Sequence, residues 1–179
     1  KKYKKLDIYD HHEAHAASAY FYSGWNKCYV LTIDGWGDDS SSKLYKANNG
    51  KLNQLSKTNS IDSLGYFYGS ITKLLGYKPH RHEGKILGLA AFGNPKSKFN
   101  KLLEKLIFWD DQSNSLKADM KYFKYHTSIT DSYSKELVGL LGAPRNPFNQ
   151  LLPDQKDFQR YADIARAAQY ITENLLKKI

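Results

Sequence analysis

The stretch CYVLTIDGWGDDSSSKLYKANNGKLNQLSKT, residues 28–58, decides the fold. Cys28 to Ile33 is a compact run of β-branched and aromatic residues, which reads as a buried strand. A turn, DGWGDDS, separates it from SSKLYKA, and Asn48-Asn49-Gly50 separates that segment from KLNQLSKT. Asn-Gly between alternating segments is a strong hairpin signal, because both residues tolerate the positive φ angles of a two-residue turn. The stretch therefore predicts three successive antiparallel strands.

Working outward, Leu6-Asp7-Ile8-Tyr9 alternates like a short strand and feeds DHHEAHAASAYF, residues 10–21. Alanines favour helix from Glu13 to Tyr22, and Ser23-Gly24 ends it. On the C-terminal side, Asp62 or Ser63 can cap a helix through about Leu75, with Leu64, Phe67, Tyr68, Ile71, Leu74 and Leu75 at helical spacing and Gly76 as its stop. Helices are expected over Gly84 to Phe92, Pro95 to Phe108 and Ser134 to Leu141. Asp110 to Thr130 reads as loop with one strand, and Gly142 to Pro153 as loop. Gln155 to Ile179 aligns Phe158, Tyr161, Ile164, Ala165, Ala168, Ile171, Leu175 and Leu176 on one face of a long helix. A strand meander followed by helices is an α/β or α+β layered lobe, with no parallel βαβ series complete.

With 41% hydrophobic and 14% aromatic residues, the 179-residue chain has the composition of a folded domain rather than a disordered one. It opens on lysine and its one methionine is Met120, so a piece of a longer polypeptide is expected. No apolar run approaches the roughly 20 residues of a membrane span, and no signal peptide precedes the basic start, so a cytoplasmic location is expected. A single cysteine, Cys28, excludes an internal disulfide and a multi-thiolate metal site. The formal charge of +9 suits anionic partners, but the lysines are spread over Lys1 to Lys5, Lys96 to Lys105, Lys117 to Lys124 and Lys177 to Lys178 without a nucleic-acid motif. A solvated surface or a phosphorylated small substrate fits better than a nucleic-acid partner.

Three of the chain's six histidines crowd into five residues, where they do not help a helix. On a helix, His11 and His15 share a face at the spacing with which two imidazoles hold one metal ion. His12 points about 100° away and Glu13 about 200° away, which separates this pattern from the H-E-x-x-H of zinc proteases. A helix start with ordinary surface histidines is the competing reading. Asp34, at the end of CYVLTI, offers a third ligand. Its glycine turn permits close approach of backbone N–H groups to phosphate, although Asp34, Asp38 and Asp39 would repel an anion unless a cation stood between. A plain hairpin turn explains the same residues. In RHEGKILGLAAFG, Glu83 and Lys85 precede small residues that permit close packing, and helix-terminal charge accounts for them from spacing alone.

Taken in order, HHEAHAASAYFYSG, LTIDGWGD, SLGYFYGSITKLLGY, HEGKILGLAAFG and DIARAAQYITENLL resemble the N-terminal part of the O-carbamoyltransferases of nodulation-factor and antibiotic biosynthesis (NodU/CmcH type). The resemblance covers almost the whole chain. It implies a partial actin-like ATPase (RNase H-like) lobe over residues 1–179, with a YrdC-like C-terminal domain absent from this sequence and, because such a helix packs against the neighbouring lobe in actin-like folds, an apolar face on the 155–179 helix that lacks its full partner. In such enzymes ATP and carbamoyl phosphate give a carbamoyl-adenylate in the YrdC-like domain. The carbamoyl group then passes to a hydroxyl of a small-molecule acceptor near a bound divalent metal, commonly iron. The resemblance makes His11, His15 and Asp34 metal ligands, with a further aspartate expected beyond Ile179. It assigns Gly35, Gly37 and Asp38 to the nucleotide-phosphate turn, and Glu83 and Lys85 to the transfer pocket. Its partners are the acceptor and the rest of the same polypeptide.

Two other readings use the same residues. A metal-dependent hydrolase would direct the three ligands at water, and a tRNA-linked threonylcarbamoyl-transfer relative would share the H-x-E-x-H arrangement.

Overall fold

The computed structural model describes residues 6–128 and 130–179, so the basic start, residues 1–5, and Ile129, near the end of the expected 110–130 loop, lie outside the described residues. The chain forms two compact units, Lys1–Ser63 and Leu64–Ile179. Its class is α/β, with helices and antiparallel strands.

In the first unit, helix α1 (His11–Ser23) precedes strands β1 (Lys27–Gly37), β2 (Ser40–Asn48) and β3 (Lys51–Asn59), and a 3-10 turn, Ser60–Asp62, follows. The strands form one antiparallel sheet in the order β1-β2-β3. Asn49 and Gly50 take φ angles of 48° and 78°, the left-handed pair that a two-residue hairpin needs. Helix α1 begins where the Asp10 carboxylate accepts the Glu13 N–H at 2.9 Å, and it ends at Gly24 with φ 71°. Ala16 and Tyr20 pack with Val30, Tyr45 and Ala47, which seats the helix on one face of the sheet.

Three expectations for this unit are corrected. Residues 6–9 form no strand: Leu6, Ile8 and Tyr9 are exposed and join no ladder among the described residues. Alternation alone gives no strand when no neighbour supplies the backbone bonds. Strand β1 is not buried on both faces, since it lies at the sheet edge with Val30 and Thr32 covered and Tyr29, Leu31 and Ile33 open. The apolar run recorded strand propensity, whereas α1 covers only the alternate residues. The turn is also tighter than DGWGDDS, because pairing continues to Gly37–Ser40 and only Asp38 and Asp39 reverse the chain. A register shift between Ile33 and Gly37 absorbs the difference.

The second unit gathers around α6 (Phe158–Lys178). Against it pack α2 (Leu64–Leu74), α3 (Glu83–Ala90), α4 (Phe99–Leu103) and β4 (Ile107–Asp110); β4 pairs with β5 (Ser115–Ala118), and α5 (Lys135–Leu141) joins the same core. The apolar face of α6 does not lack a partner as expected, since Ile164, Ala165, Ala168, Ile171 and Leu175 are all buried within this unit. Small side chains allow that close approach: a Cβ on Gly93 would lie 2.4 Å from the Ala162 carbonyl oxygen. The helix expected over Pro95 to Phe108 shrinks to the five residues of α4, because the β-branched and aromatic run Ile107-Phe108-Trp109 enters a hairpin instead. Gly76 (φ 74°) closes α2, and Arg145 donates to the carbonyls of Leu75 and Gly76 there. No helix among the described residues is long and apolar enough to cross a membrane.

Candidate metal centre

Strand alternation places Thr32 and Asp34 on the helix-facing side of β1. The first turn of α1 lies over them. His11 Nε2 is 3.0 Å from Asp34 Oδ2 and 3.1 Å from His15 Nε2, and His15 Nε2 is 3.8 Å from the same carboxylate oxygen. The other Asp34 oxygen accepts the Gly35 N–H at 2.7 Å, which turns Oδ2 toward the imidazoles. One ligand atom from each of the three residues thus lies within 4.8 Å of the others. The His11 hydrogen bond, aided by the Gly35 N–H and by the charges of both histidines, holds the Asp34 carboxyl below its usual range against the opposing effect of burial.

The donor set fits a divalent ion. Ligand atoms about 2.1 Å from a common ion, at right-angle to tetrahedral spacing, stand roughly 3.0–3.4 Å apart. Two of the three separations meet that spacing, and the third, 3.8 Å, involves the half-exposed His15. Relative exposures of 37% for His11, 56% for His15 and 44% for Asp34 leave the outer side open.

His12, passed over by the sequence analysis, is wholly buried. Its Nδ1 pairs with Thr32 Oγ1 at 2.9 Å and its Nε2 donates to the Ser40 carbonyl at 3.1 Å, linking α1 to β1 and β2. A signal was present: His12, Ala16 and Tyr20 recur every four residues, so His12 lies on the helix's core stripe. Beside it, the nearly buried Lys43 reaches Asp10 Oδ2 at 2.7 Å. That ammonium is the main reason the Asp10 carboxyl titrates below its usual range, burial opposing it and the Glu13 N–H assisting.

Among the glycine-turn residues, a Cβ on Gly35 would meet open space, whereas one on Gly37 would lie 2.2 Å from His11 Cδ2. Asp38 Oδ2 accepts the His11 backbone N–H at 2.8 Å. Asp39 instead pairs with Lys57. Glu83 and Lys85 belong to the second unit, at the start of α3. Glu83 Oε1 accepts the N–H of His80 at 2.6 Å, holding that residue at φ 63°, and the Lys85 ammonium lies 6.0 Å from the centre of the Tyr77 ring.

The whole chain, residues 1–179, matches the protein family described as Carbamoyltransferase N-terminus. An uncharacterized protein of Synechocystis sp. is 33% identical over 176 residues, which take in 95% of this chain and 26% of the relative. An uncharacterized protein of Methanocaldococcus jannaschii is 38% identical over 89 residues, or 50% of this chain and 17% of the relative. The nodulation protein NolNO of Sinorhizobium fredii is 37% identical over 91 residues, covering 51% and 13% respectively. The chain therefore spans about a quarter or less of the length of these relatives, and over that span it belongs to the carbamoyltransferase N-terminal family.

Proposed function

We propose that this chain is part of an ATP-dependent O-carbamoyltransferase and that His11, His15 and Asp34 hold its divalent metal, iron by family resemblance. The observation that carries the reading is that His11, His15 and Asp34 bring one ligand atom each within 4.8 Å of the others. The lobe is read as part of an actin-like, RNase H-like ATPase fold working in the cytoplasm, where ATP is available. A YrdC-like domain elsewhere in a longer polypeptide makes the carbamoyl-adenylate: water splits carbamoyl phosphate into carbamate and inorganic phosphate, carbamate displaces pyrophosphate from ATP, and attack by a small-molecule hydroxyl on the carbamoyl carbon then releases AMP and a proton.

Each residue then has a task. To hold the ion, His11 and His15 would exchange their contacts with Asp34 for Nε2 lone pairs on the metal, which would put the ring protons on Nδ1. Asp34 stays ionised because its neighbours favour the carboxylate. A divalent ion supplies Lewis acidity, lowering the pKa of a nearby hydroxyl and offsetting negative charge on the carbamoyl oxygen. The open outer side of the triad gives an acceptor hydroxyl access. Gly35, Gly37 and Asp38 belong to the nucleotide-phosphate turn in this reading, with the open space beside Gly35 as the approach for phosphate oxygens. Glu83 and Lys85 are assigned to transfer by family resemblance alone.

The test uses the full-length protein with ATP, carbamoyl phosphate, Fe²⁺ and a panel of hydroxyl-bearing acceptors. Pyrophosphate release and labelled carbamoyl transfer are followed separately. His15→Ala and Asp34→Asn should abolish transfer while pyrophosphate release continues. Transfer that survives in both variants, or an absence of pyrophosphate release in the wild type, contradicts the proposal.

A further inference from the structure

The geometry points to Gly37 and Asp38 as positioning residues that act through His11, a role that deepens the metal reading of the triad and draws its functional weight from it. The first four N–H groups of a helix have no partner inside the helix. In α1, Asp10, next to the helix in sequence, takes the Glu13 N–H, and Asp38, from the β1–β2 turn, takes the His11 N–H at 2.8 Å. Negative charge is favourable at this end of a helix, so both carboxylates are well placed. Asp10 is also tied to Lys43, whereas Asp38 fastens the turn to the very residue that carries an imidazole of the triad.

The turn also shapes the space that this imidazole occupies. A Cβ on Gly37 would lie 2.2 Å from His11 Cδ2 and 2.8 Å from both Cγ and Nε2, so the ring rests where any other residue would put a side chain. The His15 and His12 rings stand edge-on to it, with centroids 4.6 and 5.3 Å away. Asp34 Oδ2 meets its Nε2. Backbone anchor, glycine wall, neighbouring rings and carboxylate together leave His11 little rotational freedom. His15 is more exposed, and its ring is not among the atoms that a Cβ would meet at the glycines described. The second glycine and the last aspartate of DGWGD therefore determine where the first imidazole points. Asp38 sits at φ 54°, a conformation that aspartate, asparagine and glycine tolerate, and this makes a clean substitution pair available.

The test labels the histidines of the chain with ¹⁵N, reads ring resonances without metal, and then titrates Co²⁺. Asp38→Asn keeps an acceptor oxygen and should leave the His11 resonances and the Co²⁺ affinity within about twofold of wild type. Asp38→Gly keeps the turn but loses the acceptor, and Gly37→Ala fills the ring's space. Each should shift the His11 resonances, leave those of His12 in place as a folding control, and weaken Co²⁺ binding about 10-fold or more, the scale of lost outer-shell support at metal sites. Should Gly37→Ala fail to fold, the Asp38→Gly and Asp38→Asn pair decides. Unshifted His11 resonances in Asp38→Gly overturn the inference. If wild type binds no Co²⁺ while the His11 resonances still move in Asp38→Gly, the positioning role stands and the metal reading falls.

Discussion

Replacing each clustered histidine in turn should separate the structural one from the other two. His12→Ala removes a fully buried ring that pairs with Thr32 Oγ1 and donates to the Ser40 carbonyl. Two buried hydrogen bonds are worth about 0.5–1.5 kcal/mol each, and a buried carbonyl deprived of its donor adds about 1–3 kcal/mol. Truncation also leaves a cavity, so we expect a loss of roughly 3 kcal/mol. His11→Ala and His15→Ala remove partly exposed rings from a surface cluster and should each cost under about 1 kcal/mol. Urea unfolding followed by tryptophan emission measures the difference. In a Trp109→Phe background, only Trp25 and Trp36 remain, and both belong to the first unit. His12→Gln, which can return a donor toward Ser40, should recover part of the loss. Equal destabilisation by His11→Ala and His12→Ala would refute the assignment of His12 as the tie between helix and sheet.

Lys43→Met should lower stability at neutral pH, and the deficit should close as the solution is acidified. The Asp10 carboxyl is depressed in the folded state, so its ion pair stabilises fully above its ordinary value near 3.8 and is lost as pH falls through the lower folded value. Below that point wild type holds a buried ammonium beside a neutral acid; a deficit unchanged with pH in denaturant titrations would show that the pair contributes nothing. Gly93→Ala, whose Cβ would meet the Ala162 carbonyl oxygen and Arg166 Cβ, should destabilise the second unit by about 1–3 kcal/mol, read from Trp109 emission in a Trp25→Phe, Trp36→Phe background. No change there would mean that the segment through Gly93 is not packed tightly on α6.

Local chemistry made much of this architecture legible. Asn49-Gly50 carries the conformational demand of its turn, Gly24 and Gly76 stop their helices, and the α6 stripe repeats often enough to fix which face is buried. The misses arose where neighbours decide. Residues 6–9 have the alternation of a strand and no ladder, while Ile107 leaves a plausible helix because Leu116 and Ala118 offer it a partner strand. At the candidate site, the spacing of His11 and His15 and the nearness of Asp34 to them were readable, although Asp34 lies inside β1, three residues before its end. The part of Gly37 was not, because a glycine's value there depends on a ring arriving from a helix 26 residues earlier in the chain. His12 was legible in principle from its phase with Ala16 and Tyr20, which the pairing of His11 with His15 left unused.

The most direct measurement is anomalous diffraction from crystals of the protein grown with Zn²⁺ or Fe²⁺, recorded above and below the metal's absorption edge. A single strong peak is expected about 2.0–2.2 Å from His11 Nε2, His15 Nε2 and Asp34 Oδ2, absent in the His15→Ala/Asp34→Asn double variant. A metal bound elsewhere with the triad empty, or a peak that persists at this position in the double variant, would contradict the metal reading.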